Sequence, residues 1–171
     1  HHPSHLASAF FVSPFDDAAI CAIDGFGDYV STSTAVGKGK KIDMLSKVTY
    51  PHSLGILYTA VTQHLGFPNY GDEFKVMGLA PYGLPEFTKE LSQLVTLKSG
   101  GDFELNRKFF RHWDEGVEME WEGGIPAMGS LYTSELDKLL GPSRQKGEPL
   151  TTHHENVARS LQAVYEACAF H

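Results

Sequence analysis

The sequence predicts an α/β fold in which antiparallel strands pack with helices. Three observations carry this expectation. Short apolar runs separated by glycine-containing turns recur between Ala18 and Tyr50, the pattern of a strand meander. From Ser53 onward the apolar spacing becomes helical, and Val157, Ala158, Leu161, Val164, Tyr165 and Cys168 fall on one stripe of a final helix. A chain of 171 residues with 42% hydrophobic content is long enough for one domain with a real core.

Taken in order, Ser4 to Phe11 reads as a short helix buried on most sides by Leu6, Ala7, Ala9, Phe10 and Phe11, with histidines at its N-terminal end. Pro3 suits the first turn, where its missing N–H has no intrahelical use. Ser13-Pro14-Phe15-Asp16-Asp17 breaks the helix, and Ala18 to Ile23 reads as a strand apolar on both faces, hence a central one. Asp24-Gly25-Phe26-Gly27-Asp28 has the composition of a tight turn whose backbone can approach a ligand. Tyr29 to Val36, with its hydroxyl run Ser31 to Thr34, makes a second strand, Gly37 to Lys40 a turn, and Ile42 to Tyr50 a third strand. Ser53 then caps a helix carrying Leu54, Leu57, Tyr58, Val61 and Leu65 and ended by Gly66. Further helices are expected over about Asp72–Ala80 and Pro85–Leu94. Lys98 to Pro149 is glycine-rich, acidic and irregular, which reads as an insertion or lid of mixed structure with a short helix near Ser130–Leu140. Thr152 and Glu155 make a capping box for the final helix.

The formal charge of -7 and the dispersed Lys and Arg argue against a phosphate-backbone binder, so no nucleic acid partner is expected. No apolar run approaches the roughly 20 residues that span a bilayer, so no membrane partner is expected either. Cys21 and Cys168 lie in apolar settings and read as buried thiols of a reduced, cytoplasmic protein. With no initiator Met and a last helix that meets no stop signal, the chain reads as a piece of a longer polypeptide.

His1 and His5 are the first candidates for chemistry. Imidazoles four residues apart share a helix face and can bind one divalent ion together. The ordinary alternative is a pair of partly exposed histidines at a helix start. Asp24 adds a carboxylate at the carboxyl end of a strand, where open sheets place ligand-binding groups. Two histidines and one carboxylate leave positions open on a first-row metal for a phosphate or substrate oxygen. Taken singly, Asp24 also suits an Asx-type turn and Asp28 a solvated strand start. Glu73 and Lys75 are two residues apart and do not share a helix face. Lys75 is either a phosphate- or hydroxyl-holding group or a surface lysine, and Pro81-Tyr82-Gly83 either brings N–H groups to a ligand or turns the chain. His52, His153 and His154 read as turn and first-turn residues outside the metal set. G-x-S-x-G, Walker, strand-to-helix G-x-G-x-x-G and Cys-x-x-Cys motifs do not occur.

The run HHPSHLASAFFVSPFDDAAICAIDGFGD, followed by YPHSLGILYTAVTQHLGF and DEFKVMGLAPYG, closely resembles the O-carbamoyltransferases of the NodU/CmcH type, which act on nodulation factors, cephems and aminoglycosides. The resemblance implies part of an actin-like ATPase (ribonuclease H-like) domain, with residues 1–171 a fragment of the N-terminal transfer domain and 98–149 inserted within it. In that family a YrdC-like domain makes carbamoyladenylate from carbamoyl phosphate and ATP, and the actin-like domain passes the carbamoyl group to a hydroxyl of a small-molecule acceptor. The resemblance further implies that His1, His5 and Asp24 are ligands of an iron-type divalent metal, Fe2+. It makes Asp24, Gly25, Phe26, Gly27 and Asp28 the nucleotide-facing turn and puts Glu73, Lys75 and Gly83 on the substrate side. The chain has Asp28 where the family more often has Glu. The first phosphate-binding strand and the glycine-rich nucleotide segment with a last ligand aspartate would lie outside residues 1–171, so this piece alone is expected to be inactive. The alternative to an enzyme is a non-catalytic actin-like domain that binds nucleotide or a partner.

Overall fold

The computed structural model describes the backbone of residues 1–171 and every side chain except those of residues 122 and 125. It comprises two compact units, His1–Gly55 and Ile56–His171.

The first unit opens with helix α1 (His2–Phe10), followed by strands β1 (Asp17–Gly27), β2 (Val30–Lys38) and β3 (Lys41–Thr49) in an antiparallel sheet of order β1-β2-β3. The expected meander is therefore present. His2, Leu6 and Phe10, each four residues from the next, form the buried stripe of α1. Leu6 and Phe10 pack with Ile20, Ala22 and Ala35, and Ala18, Ile42 and Met44 close the margin of this core.

Three expectations are corrected here. Within residues 1–171, Ala18 to Ile23 is not the middle strand: β2 is, and β1 pairs on one side only among the described residues. One face of β1 is buried, so Ile20 and Ala22 turn inward while Cys21 between them is exposed and is not a core thiol. Cys168 is buried as expected, and burial pushes its thiol up to about 11. Nor do residues Asp24 to Asp28 form the turn. The glycines at 25 and 27 accommodate an irregularity between Ile23 and Gly27, so β1 continues, and the reversal falls at Asp28 and Tyr29. Both adopt positive φ, 54° and 64°, as a two-residue type I′ hairpin requires.

Helix α2 (Leu54–His64) starts within the first unit and runs into the second, stopping before Gly66, whose φ of 78° suits a residue without a side chain. There follow α3 (Glu73–Leu79), extended by a 3-10 turn at Ala80–Tyr82, and α4 (Thr88–Leu91), extended by another at Ser92–Leu94. Strands β4 (Val95–Leu97) and β5 (Phe103–Leu105) pair, then come α5 (His112–Glu115), the paired strands β6 (Met119–Glu122) and β7 (Ile125–Met128), α6 (Ser134–Leu140) and α7 (Thr152–Ala169). The helix expected from Pro85 starts three residues late because α7 takes its backbone donors: Leu84 N–H donates to Asn156 Oδ1 at 2.8 Å and Phe87 N–H to Ser160 Oγ at 2.9 Å.

The core of this unit lies where α7, through Val157, Leu161 and Val164, meets α3, α4 and the 3-10 turn after α3. Its cap is one residue earlier than expected, since Thr151 N–H donates to His154 Nδ1 at 3.0 Å. The irregular stretch is tied to α2: Gln63 bonds both Gly129 O and Leu131 N–H, and buried Arg144 donates to Leu65 O (2.6 Å), Gly66 O (3.2 Å) and Glu148 O (2.5 Å).

Candidate metal centre

The buried stripe of α1 determines where its histidines go. With His2, Leu6 and Phe10 against the sheet, the residues one position earlier, His1 and His5, lie about 100° round the helix, on the rim rather than in the core. Asp24 of β1 reaches the same rim. His1 Nε2 is 2.6 Å from Asp24 Oδ2 and 2.9 Å from His5 Nε2, and His5 Nε2 is 3.6 Å from Asp24 Oδ2. All three side chains are about one-third to one-half exposed. Among the described residues, these three form the group of His, Cys, Asp or Glu whose donor atoms all lie within 4.8 Å of one another.

The donor set suits a divalent cation. Two imidazole nitrogens and a carboxylate oxygen converge, and one proton can bridge only one pair of them, whereas one ion of the first transition row accepts a lone pair from each. The carboxylate is already divided between two tasks. Asp24 Oδ1 accepts the Gly25 N–H at 2.7 Å, which leaves Oδ2 facing the histidines.

Neighbouring residues shape this corner. A Cβ on Gly27 would fall 1.9 Å from His1 Cδ2, so the imidazole occupies the space that a side chain there would need. The Phe26 ring lies 5.0 Å from that of Tyr50, which also meets Tyr29 edge-on at 6.3 Å. Among the described residues, nothing lies within 4 Å of the place of a Cβ on Gly25.

Glu73, Lys75 and Gly83 belong to the second unit and have partners of their own there. Glu73 accepts from Thr59 Oγ1, Lys75 pairs with Asp72 at 2.6 Å beside the Phe67 and Phe74 rings, and Gly83 lies so close to α7 that a Cβ would sit 2.0 Å from Glu155 O. His52, placed in a turn, offers its carbonyl to Ser31 Oγ.

Sequence reasoning gave His2 and Gly55 no role at the site and Ser53 only that of a helix cap. His2 is buried, with Nδ1 2.8 Å from Ser33 Oγ and Nε2 3.0 Å from Val30 O, to which it donates. Its spacing from Leu6 and Phe10 was the available signal. Ser53 and Gly55 pack against the Asp24–Gly25 backbone, a contact across nearly thirty residues that no local pattern announces.

Residues 1–168 match the family described as Carbamoyltransferase N-terminus. The chain is 39% identical to an uncharacterised protein, sll1178, of Synechocystis sp., over 97% of this chain and 25% of that protein. It is 35% identical to nodulation protein NolNO of Sinorhizobium fredii over 100% of this chain and 22% of that protein. Against nodulation protein NolO of Bradyrhizobium diazoefficiens the identity is again 35%, over 100% of this chain and 27% of that protein. The chain thus spans about a quarter of the length of these relatives.

Proposed function

The chain belongs to the carbamoyltransferase N-terminus family, and from that premise we propose that it forms part of the transfer domain of an O-carbamoyltransferase with an actin-like fold. The reaction passes a carbamoyl group from carbamoyladenylate, made from carbamoyl phosphate and ATP by a YrdC-like part of the longer protein, to a hydroxyl of a small-molecule acceptor. The acceptor oxygen bonds to the carbamoyl carbon, the bond from that carbon to the AMP phosphate oxygen breaks, and the acceptor proton is released.

The observation that supports this reading is the convergence of His1, His5 and Asp24 in a chain matched to the family over residues 1–168. These three side chains would hold a divalent metal, Fe2+ in our reading. When bound, the ion supplies positive charge that orients and neutralises the phosphate of the leaving AMP. The chain's own residues prepare the place. Gly25 leaves room for a phosphate to approach the strand backbone, and Phe26, Gly27 and Asp28 continue the nucleotide-facing edge. Glu73, Lys75 and Gly83 we assign to the substrate side, with residues 98–149 as an insertion or lid within the domain.

The test uses the full-length protein with carbamoyl phosphate, ATP and a panel of hydroxylated acceptors. AMP and a carbamoylated product are expected, with both lost in His1→Ala and Asp24→Ala. Failure to form either one in the wild type overturns the enzyme reading. Nucleotide binding without product would favour a non-catalytic actin-like domain.

A further inference from the structure

Asp24 takes its orientation from the peptide group that follows it. That group has two ends, the Asp24 carbonyl oxygen and the Gly25 N–H. The N–H end holds Asp24 Oδ1 at 2.7 Å. At the other end, the buried hydroxyl of Ser53 donates to the Asp24 carbonyl oxygen at 3.0 Å, shared with the Gly25 carbonyl at 2.7 Å. Ser53 therefore restrains both peptide planes flanking Gly25. Such restraint matters there, because glycine is the residue with the most backbone freedom and, among the described residues, Gly25 has no neighbour where a Cβ would stand.

Gly55 lets the serine come this close. A Cβ on it would fall 2.7 Å from Asp24 O and 2.8 Å from Gly25 Cα, so the first turn of α2 lies directly on the peptide.

We propose that Ser53 is a positioning residue for the metal-ligating carboxylate: its hydroxyl holds the Asp24–Gly25 peptide so that Oδ1 stays on the Gly25 N–H and Oδ2 alone turns to His1 and His5. This inference rests on the metal reading of the cluster. A carboxylate held by one oxygen offers one donor in a set direction, and outer partners of this kind typically affect metal affinity by about 10–100-fold.

The probe is Co2+, whose visible absorption reports its coordination, titrated into the full-length protein. Ser53→Ala is expected to weaken Co2+ binding by about 10–100-fold and to change the absorption of the bound ion, beside a lower melting temperature of the metal-free protein from the two carbonyls left without its hydroxyl. Ser53→Cys, which fills similar space with a much weaker donor, should shift both readouts in the same direction by less. Wild-type affinity and absorption in either folded variant overturns the proposal, as does a loss confined to metal-free melting. His1→Ala separates the two levels: if it binds Co2+ as well as the wild type does, the metal reading falls and this inference with it.

Discussion

His2 has both ring nitrogens engaged inside the fold, on Ser33 and Val30, so of the three opening histidines it is the one unavailable to a cation. Its neighbours are available because the helix turns them to the rim, and the four-residue spacing of His1 and His5 made that legible from the sequence. The role of Gly27 was not legible as space, since it depends on where an irregular strand lies beneath a side chain from α1. Gly27→Ala puts a methyl where the His1 ring stands. The ring is the mobile partner and swings away, so the stability lost stays near the roughly 1 kcal/mol typical of single substitutions. Co2+ titration should show the affinity of Gly27→Ala falling as far as that of His1→Ala, with only a small fall in the unfolding midpoint.

At the scale of elements, the long helices and the meander could be read because their apolar periods are clear over eight or more residues. The misreadings have physical causes. Ala18, Ala19, Cys21 and Ala22 are small apolar residues that suit either side of a sheet, so a one-sided edge strand looked two-sided. The Asp24–Asp28 glycines looked like a turn, whereas the turn took Asp28 and Tyr29, of which only the aspartate is a type that visits positive φ with any frequency. The helix start at Pro85 was lost to Asn156 and Ser160, seventy residues away.

The C-terminus of α2 was also closed by a distant residue. Buried Arg144 donates to the carbonyls of Leu65, Gly66 and Glu148, with the Phe67 ring 4.7 Å from its guanidinium carbon. Arg144→Met keeps the apolar stem and removes the donors. Leaving buried carbonyls without partners typically costs about 1–3 kcal/mol, and urea unfolding should show that loss as a lower midpoint with the slope unchanged.

Across the whole molecule, acid should weaken the fold before carboxylates protonate. Burial lowers the pKa of His64, whose Nε2–H reaches Gly141 O at 3.1 Å with Asp137 Oδ1 at 3.3 Å, and whose buried Nδ1 has no hydrogen-bond partner among the described residues. Burial, with His153 alongside, also lowers that of His154. In the unfolded chain both histidines take up a proton near pH ~6.5, while the folded chain refuses it until a lower pH. Stability therefore falls as pH drops through about 6.5 and levels off below the depressed native values. Thermal melts from about pH 7.5 to about pH 5.5 should show this slope, and His64→Gln should flatten it.

The one-sided pairing of β1 has a further consequence, for handling rather than for chemistry. Its outer edge presents N–H and C=O groups without a strand partner among the described residues. Such an edge is a template for another chain. Residues 1–171 prepared by themselves should self-associate with rising concentration through this strand, and light scattering would record oligomers that belong to the excised piece, telling nothing of the subunit number of the longer protein.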